Sequence, residues 1–150
     1  MAEIALRVFG FPDLKPYGIV LRDPVSRRHC WLKLWPEYFY ILRAMFADPG
    51  DPLLSHEVAC RMLDAGGVSV TRIRAALAAD RESLTFFIHY GRTGFPEAEI
   101  TVFTFDACGY SIAARVPIVM SEEDFAVCAE AAPTLAELGM TAPRGPFGDN

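Results

Sequence analysis

The chain has 150 residues, 52% of them hydrophobic, which is enough for one well-filled core but not for two independent ones. Its formal net charge of −5 excludes a protein that binds duplex nucleic acid through a broad basic face, because phosphate contacts supply most of that affinity. The sequence has neither a charged leader followed by an apolar run nor an apolar stretch that could span a bilayer, so we expect a soluble, cytoplasmic protein.

The cysteines show no metal-binding pattern. Cys30, Cys60, Cys108 and Cys128 form no CxxC pair, so we interpret them as small buried apolar residues rather than zinc ligands. The chain also lacks a P-loop and a dinucleotide-binding fingerprint. We therefore expect no organic cofactor.

The first half of the chain predicts three strands and a helix. Residues 4–11 and 17–21 alternate apolar and other side chains on either side of a PDLKP turn. Residues 30–35 carry apolar side chains on both alternation phases, which predicts a strand covered on both faces. Pro36 suits the first turn of a helix, whose apolar stripe continues to a break at residues 48–52.

Residues 53–67, LLSHEVACRMLDAGG, predict one complete short helix. Ser55 can cap its first turn, and Glu57 places negative charge at the positive end of the helix dipole. The glycine pair at 66–67 can end the helix in the left-handed conformation. His56 and Glu57 are an adjacent imidazole and carboxylate beside backbone N–H groups that suit an anion. We therefore place candidate chemistry at the start of this helix.

A second strand-rich run follows. Val68 and Val70 lie on one alternation phase and Ile73 on the other, which predicts a β-bulge near Thr71 or Arg72. Residues 84–90 and 100–105 then alternate on either side of an RTGFPE turn and predict a hairpin. Phe87, Phe103 and Phe105 fall on its less apolar face. We expect that face to meet a helix or a second copy of the chain, and so predict a homodimer or higher homo-oligomer.

The C-terminal part predicts a helical turn at residues 106–114, a strand at 116–120 and a helix begun by a capping box of Ser121 and Asp124. Strands and helices grouped in separate runs predict an α+β fold. We expect a single domain, residues 1–135, with a mostly antiparallel or mixed β-sheet and three to four short helices. Residues 136–150 lack periodicity and are expected to form a flexible tail.

Several of these segments resemble, in the same order, the motifs of the bifunctional nuclease domain family. LLSHE is similar to the family's proline-leucine-threonine-histidine-aspartate run, with Leu54, Ser55, His56 and Glu57 at its last four positions. YGIVLRDPVSRRH resembles the family's early hairpin, and WLKLWPEYFYI resembles its strand-to-helix segment. FDAC and SIAARVPIVMSEEDF resemble the family's aspartate-alanine-arginine-proline-serine-aspartate motif and the strand and helix after it. The colinear order covers most of residues 4–132.

The resemblance implies a compact α+β domain that assembles as oligomers and hydrolyses DNA or RNA with the help of a metal ion. The candidate catalytic residues are His56, Glu57 and Asp106, and the candidate ligands of Mg²⁺ or Mn²⁺ are Glu37, Glu57 and Asp106. The candidate contacts to single-stranded DNA or RNA are Ser55, Arg72 and Arg74.

The chain also departs from the family pattern. Cys108, Gly109 and Tyr110 follow Asp106-Ala107 where the family has arginine, proline and serine, so a guanidinium that could hold phosphate in a fork is missing. Capping and the helix dipole alone also explain a carboxylate at a helix start. The alternative interpretation is a catalytically reduced module that binds proteins or regulates through an aromatic, oligomer-forming surface.

Overall fold

A computed structural model describes residues 2–48 and 55–140 of the chain, which form seven strands and four helices. The strands are β1 (Glu3–Gly10), β2 (Gly18–Arg22), β3 (His29–Lys33), β4 (Val68–Leu77), β5 (Leu84–Arg92), β6 (Ala98–Val102) and β7 (Ile118–Ser121). The helices are α1 (Pro36–Ala47), α2 (Ser55–Ala65), α3 (Thr104–Ala114) and α4 (Glu122–Ala131). No helix within these two ranges is long and apolar enough to cross a membrane.

The strands form one mixed sheet in the order β3-β2-β1-β7-β4-β5-β6. β1, β2 and β3 pair antiparallel as one meander, and β4, β5 and β6 pair antiparallel as a second. β7 lies between the two meanders, antiparallel to β1 and parallel to β4. The predicted α+β fold with a mixed sheet and three to four helices is therefore confirmed.

The four helices cover one face of the sheet. Alternation along the strands sends apolar side chains to this face, where they are buried: Leu6, Leu21, Ile73, Ile88 and Ile118. They pack against apolar side chains of the helices, which include Phe39, Leu42, Ala107, Ile112 and Phe125. Burying each large apolar side chain contributes about 1.5–3 kcal/mol, so this layer is the main source of stability.

The opposite face of the sheet is covered over its β1–β3 half. Phe9 and Val20 are buried there against Leu138, with Trp31, Leu135 and Met140 around them. The predicted cover of β3 on both faces is therefore only partly present, because Trp31 is partly buried on the outer face and Lys33 is exposed. The packed chain continues past the predicted domain boundary at residue 135, because Leu138 seals the outer side of β1 and β2. Of the predicted tail, residues 141–150 lie outside the described residues.

The predicted bulge is confirmed in β4. The register of β4 against β5 shifts between Val70 and Arg72, so Thr71 is the extra residue. The Thr71 hydroxyl lies 2.6 Å from the carboxylate of Glu97, to which it donates, and 3.2 Å from the carbonyl of His89. The insertion lets Val70 and Ile73 both face the helices, and it turns Arg72 and Arg74 to the opposite face.

The predicted hairpin of β5 and β6 is present, but its second strand is shorter than predicted. β6 ends at Val102, and Phe103 is already the N-cap residue of α3. Phe105 continues the alternation of apolar residues in β6, but it belongs to the first turn of α3, where its ring packs against Tyr38 and His56. An apolar residue needed for helix packing therefore resembles the next residue of a strand.

The start of α2 is only partly described, because residues 49–54, with the predicted loop and Leu53-Leu54 of the motif, lie outside the described residues. Ser55 is the first residue of the helix. Its capping role stays a prediction, since helix boundaries vary by a residue or two between assignments. The end of the helix is as predicted: Gly67 has a left-handed backbone, with φ 75°.

The N-cap of α4 is confirmed at Ser121. Its hydroxyl accepts a hydrogen bond from the Asp124 N–H at 3.2 Å, while the Asp124 carboxylate accepts one from the Leu77 N–H at the end of β4. We expect Ser121→Ala to lower the free energy of unfolding by about 0.5–2 kcal/mol in denaturant titrations. Ser69→Ala, on an exposed strand position, is the matched control and should be near neutral. Equal midpoints for wild type and Ser121→Ala would contradict the capping role.

Candidate functional site

The first turns of three helices meet around one aromatic ring. Phe105, the second residue of α3, stacks on Tyr38 in the first turn of α1, with ring centroids 4.2 Å apart. Its other contact is edge-on with His56, the second residue of α2, at 4.9 Å. Each helix N-terminus carries a partial positive charge from the helix dipole. The meeting point therefore combines three positive dipole ends with the first-turn carboxylates Glu37, Glu57 and Asp106.

His56 is held at this point by contacts on every side. Its side chain is 5% exposed, and its Nε2 lies 3.1 Å from Oδ1 of Asp106. Its Nδ1 lies 3.4 Å from the hydroxyl of Ser55, and the Tyr110 ring approaches it edge-on at 4.9 Å. A neutral imidazole can donate from Nε2 to the carboxylate and accept at Nδ1 from the hydroxyl. The imidazole is thus fixed in place and largely shielded from solvent.

Gly109 makes room for this imidazole. A Cβ atom at position 109 would lie 2.3 Å from His56 Nδ1, well inside van der Waals contact. The position lies one turn after Asp106 on α3, where a side chain would point at α2. In the sequence, Gly109 stands out only as a departure from the family motif. Its contact with His56 is visible only in the structure.

Asp106 is the more exposed residue of the His56–Asp106 pair. It lies in the first turn of α3, and its side chain is 39% exposed. One carboxylate oxygen is paired with His56, and no other described residue hydrogen-bonds to this carboxylate. The structure therefore brings together two of the three predicted catalytic residues, 50 positions apart in the chain, and leaves an oxygen of Asp106 accessible.

Glu57 and Glu37 occupy equivalent positions on the other two helices but are not joined to His56. Glu57 lies 3.5 Å from Arg61, one turn later on α2, and lines a separate cleft of about 290 Å³ with Cys60 and Asp64. Glu37 is an exposed residue in the first turn of α1. In the parts of the chain that the structure describes, no three His, Cys, Asp or Glu side chains are grouped so that they could hold a metal ion. The three predicted ligands do not form a ready-made set.

Arg72 and Arg74 lie away from this site. Arg72 pairs with Glu3, and Arg74 pairs with Glu99 at 3.4 Å while its guanidinium lies over the Phe87 ring. The bulge at Thr71 turns both arginines to the sheet face opposite the helices. The structure therefore does not bring these two predicted substrate contacts to His56.

Position 108, where the resembled motif has an arginine, lies inside the core. Cys108 is fully buried, and burial raises the pKa of its thiol far above its ordinary value. A guanidinium at this position would be an unpaired buried charge and would not reach a phosphate. Burial, with smaller effects of Cys60 and Asp106, raises the pKa of the Tyr110 phenol, so that side chain stays neutral beside the pair. Cys30 is also buried, which raises its pKa to about 12. The predicted buried, apolar role therefore holds for Cys30 and Cys108, whereas Cys60 and Cys128 are only partly buried.

Two neighbouring clefts lie beside the site, and neither is lined by His56 or Asp106. The smaller one, about 290 Å³, is lined by Lys33, Trp35, Tyr38, Phe103 and Phe105, and Phe105 is the ring that contacts His56. The larger one, about 730 Å³, shares Lys33 and Trp35 with it. One sequence signal does point to these clefts. In the WLKLWP segment, Trp31, Lys33 and Trp35 share one alternation phase, so aromatic and basic side chains lie on the same side of the chain.

A scan against protein-family models and a search of curated proteins both find no match to this chain.

Proposed function

We propose that this protein is a nuclease of the bifunctional type, which hydrolyses phosphodiester bonds of DNA or RNA at Asp106. The observation that carries the proposal is the 3.1 Å bond between His56 Nε2 and Asp106 Oδ1 at the meeting point of three helix N-termini. The motif resemblance supports it, because the histidine and the aspartate that the family motifs supply are the two residues paired here. A cytoplasmic location is part of the same proposal.

The helix N-termini account for phosphate binding without a basic face. α1, α2 and α3 each have eleven or twelve residues and meet through Tyr38, His56 and Phe105. Backbone N–H groups at such termini bind phosphate oxygens, and the aligned dipoles favour negative charge. The Ser55 hydroxyl, at the start of α2, has one hydrogen and can donate it to a phosphate oxygen only in place of His56 Nδ1.

Asp106 is the residue that can act on water. In hydrolysis the water oxygen forms a bond to phosphorus, the bond from phosphorus to the leaving sugar oxygen breaks, and that oxygen takes a proton from solvent. The accessible oxygen of Asp106 would accept the proton that the attacking water loses. His56 is too buried to touch substrate, so its role is to hold the Asp106 carboxylate in one orientation.

A divalent ion, Mg²⁺ or Mn²⁺, remains part of the proposal. Mg²⁺ commonly takes only one or two protein carboxylates, with substrate phosphates and water as its other ligands. Asp106 would hold such an ion through water rather than bind it directly, which leaves its free oxygen as the proton acceptor, and Glu37 and Glu57 do not gather around it. When bound, the ion would offset phosphate charge and lower the pKa of a coordinated water.

The test is cleavage of labelled single-stranded DNA and RNA oligonucleotides by protein purified free of contaminating nuclease. Wild type and Asp106→Asn are compared in magnesium, in manganese and with a chelator. We expect cleavage by wild type that the chelator abolishes. If wild type cleaves no faster than Asp106→Asn under every condition, the nuclease proposal fails and the interaction-module interpretation replaces it.

A second proposed property is homo-oligomerisation through the open half of the sheet. The outer face of β4 to β6 carries Arg74 over Phe87 and the neighbouring Glu99, and the Arg72–Glu3 pair lies beside them. Charges of both signs around an aromatic centre can match a second copy across a two-fold axis. We expect light scattering at micromolar concentration to give the mass of a dimer, and Phe87→Glu to give a monomer. A monomer mass for wild type over the whole concentration range would contradict this.

A further inference from the structure

The larger cleft is lined by lysine side chains. The sequence contains two lysines, Lys15 and Lys33, and both line this cleft of about 730 Å³. Neither forms an ion pair with another described residue, whereas Arg43, Arg72 and Arg74 are each paired with a carboxylate. In a chain of net charge −5, the cleft therefore offers two cations to an external anion.

The same cleft presents aromatic surfaces. Trp35 is 71% exposed although it directly precedes the first turn of α1, and Tyr40 is 47% exposed. Tyr17 stacks on the buried ring of Phe39 at 4.5 Å, and its hydroxyl lies 3.1 Å from that of Tyr40. The tyrosines are thus held in place from behind, while the indole is open to solvent. Exposed rings next to unpaired cations are typical of sites that bind nucleobases and phosphates together.

The geometry points to a binding subsite for unpaired nucleotides of single-stranded nucleic acid in this cleft. Bases stack on Trp35 and Tyr40, and Lys15 and Lys33 contact the phosphates between them. The inference rests on the proposed function, which it extends by naming the residues that hold the single strand. A duplex is disfavoured because its bases are already stacked on one another and the protein has no broad basic face.

The position of the cleft relates the subsite to Asp106. Lys33 and Trp35 line both clefts, and the smaller cleft continues past Phe103, whose side chain is 83% exposed, to Phe105. Phe105 precedes Asp106 and contacts His56. A strand held at Trp35 and Tyr40 can therefore extend past Lys33 and bring a later phosphate to the helix N-termini.

The experiment measures binding separately from cleavage. Fluorescence anisotropy of a short labelled oligothymidylate is recorded with Asp106→Asn protein and chelator, so that no substrate is lost. In this background we expect Trp35→Ala to weaken binding roughly 5- to 100-fold, the range for loss of one base stack. We expect Lys33→Ala to reduce the slope of log affinity against log salt by about 0.7, the value for one phosphate contact on a single strand.

The matched controls lie at the tip of the β5–β6 hairpin. Phe95 is a comparably exposed aromatic, and Arg92 is an exposed cation over its ring. Leu84, at the start of β5, lines a cleft together with Lys33, and the far end of this nine-residue strand is roughly 25 Å from Leu84. Phe95→Ala and Arg92→Ala should leave both the affinity and the salt slope unchanged. Thermal melting checks that each variant is folded.

Several outcomes would overturn the inference. One is equal binding by the Trp35→Ala and Phe95→Ala proteins; another is no binding of oligothymidylate at all. An abasic oligonucleotide or a duplex of the same length that binds as tightly would show that bases are not stacked. A Trp35→Ala change that converts a dimer to a monomer would show that a second copy fills the cleft. Cleavage is absent from this assay, so each result holds whether or not the nuclease proposal stands.

Discussion

Asp106→Asn is expected to slow oligonucleotide cleavage by roughly 100- to 10,000-fold, the usual loss when a general base is removed. Asparagine keeps the shape of the side chain and can still hydrogen-bond to His56, but it cannot accept the proton from water. Asp106 is 39% exposed, so the fold should tolerate the change. Initial rates at saturating substrate, measured with unchanged melting temperature, check the prediction.

The matched control is Asp64→Asn, which neutralises an exposed aspartate near the other end of α2 and should leave the rate unchanged. His56→Phe keeps a ring at the buried position and removes both nitrogens. If His56 acts by orienting Asp106, its loss should cost nothing further in the Asp106→Asn background. Additive losses in the double variant would show that His56 acts on its own and would contradict the positioning role.

Gly109→Ala is expected to lower the free energy of unfolding by about 1–3 kcal/mol, the cost of overpacking, even though alanine favours helix more than glycine does. The new Cβ would lie 2.3 Å from His56 Nδ1, and the imidazole cannot move aside because Phe105 and Tyr110 hold it. Displacing His56 also moves Asp106. We therefore expect cleavage to fall by up to roughly 100-fold.

Gly91→Ala is the control for this change, because a Cβ there would meet its nearest atom at an ordinary 3.7 Å. The cause can be isolated by removing the ring. In a His56→Ala background the clash is gone, so Gly109→Ala should no longer destabilise the protein in denaturant titrations. The same penalty in both backgrounds would mean that position 109 acts through something other than the imidazole.

Sequence reasoning predicted the sheet elements well where the signal was local. The phase slip between Val70 and Ile73 located the bulge at Thr71, and Ser121 was identified as the cap of α4. These features depend on a few neighbouring residues, so their signal lies within one short window. The predicted end of β6 was wrong. Phe105 continues the alternation of apolar residues along β6, although it belongs to α3.

The candidate site could be predicted only in part. His56 and Asp106 are predicted separately because each begins a helix and matches a motif, but no local signal predicts their direct contact. Arg72 and Arg74 are predicted from their charge, but one inserted residue in β4 turns them to the other face of the sheet. Lys15, Lys33 and Trp35 are not among the predicted site residues, because residues on β2, β3 and their loops form a cleft only after those strands pair.

The sequence by itself determined the α+β class, the faces of most strands and the carboxylate in the first turn of each of α1, α2 and α3, since all of these follow from spacing within one element. Only the tertiary structure decided which elements are neighbours. β7 lies between β1 and β4, and α2 meets α3 through His56 and Gly109. Apolar faces of similar periodicity could pair in many orders, and shape complementarity between side chains distant in the chain selects among them.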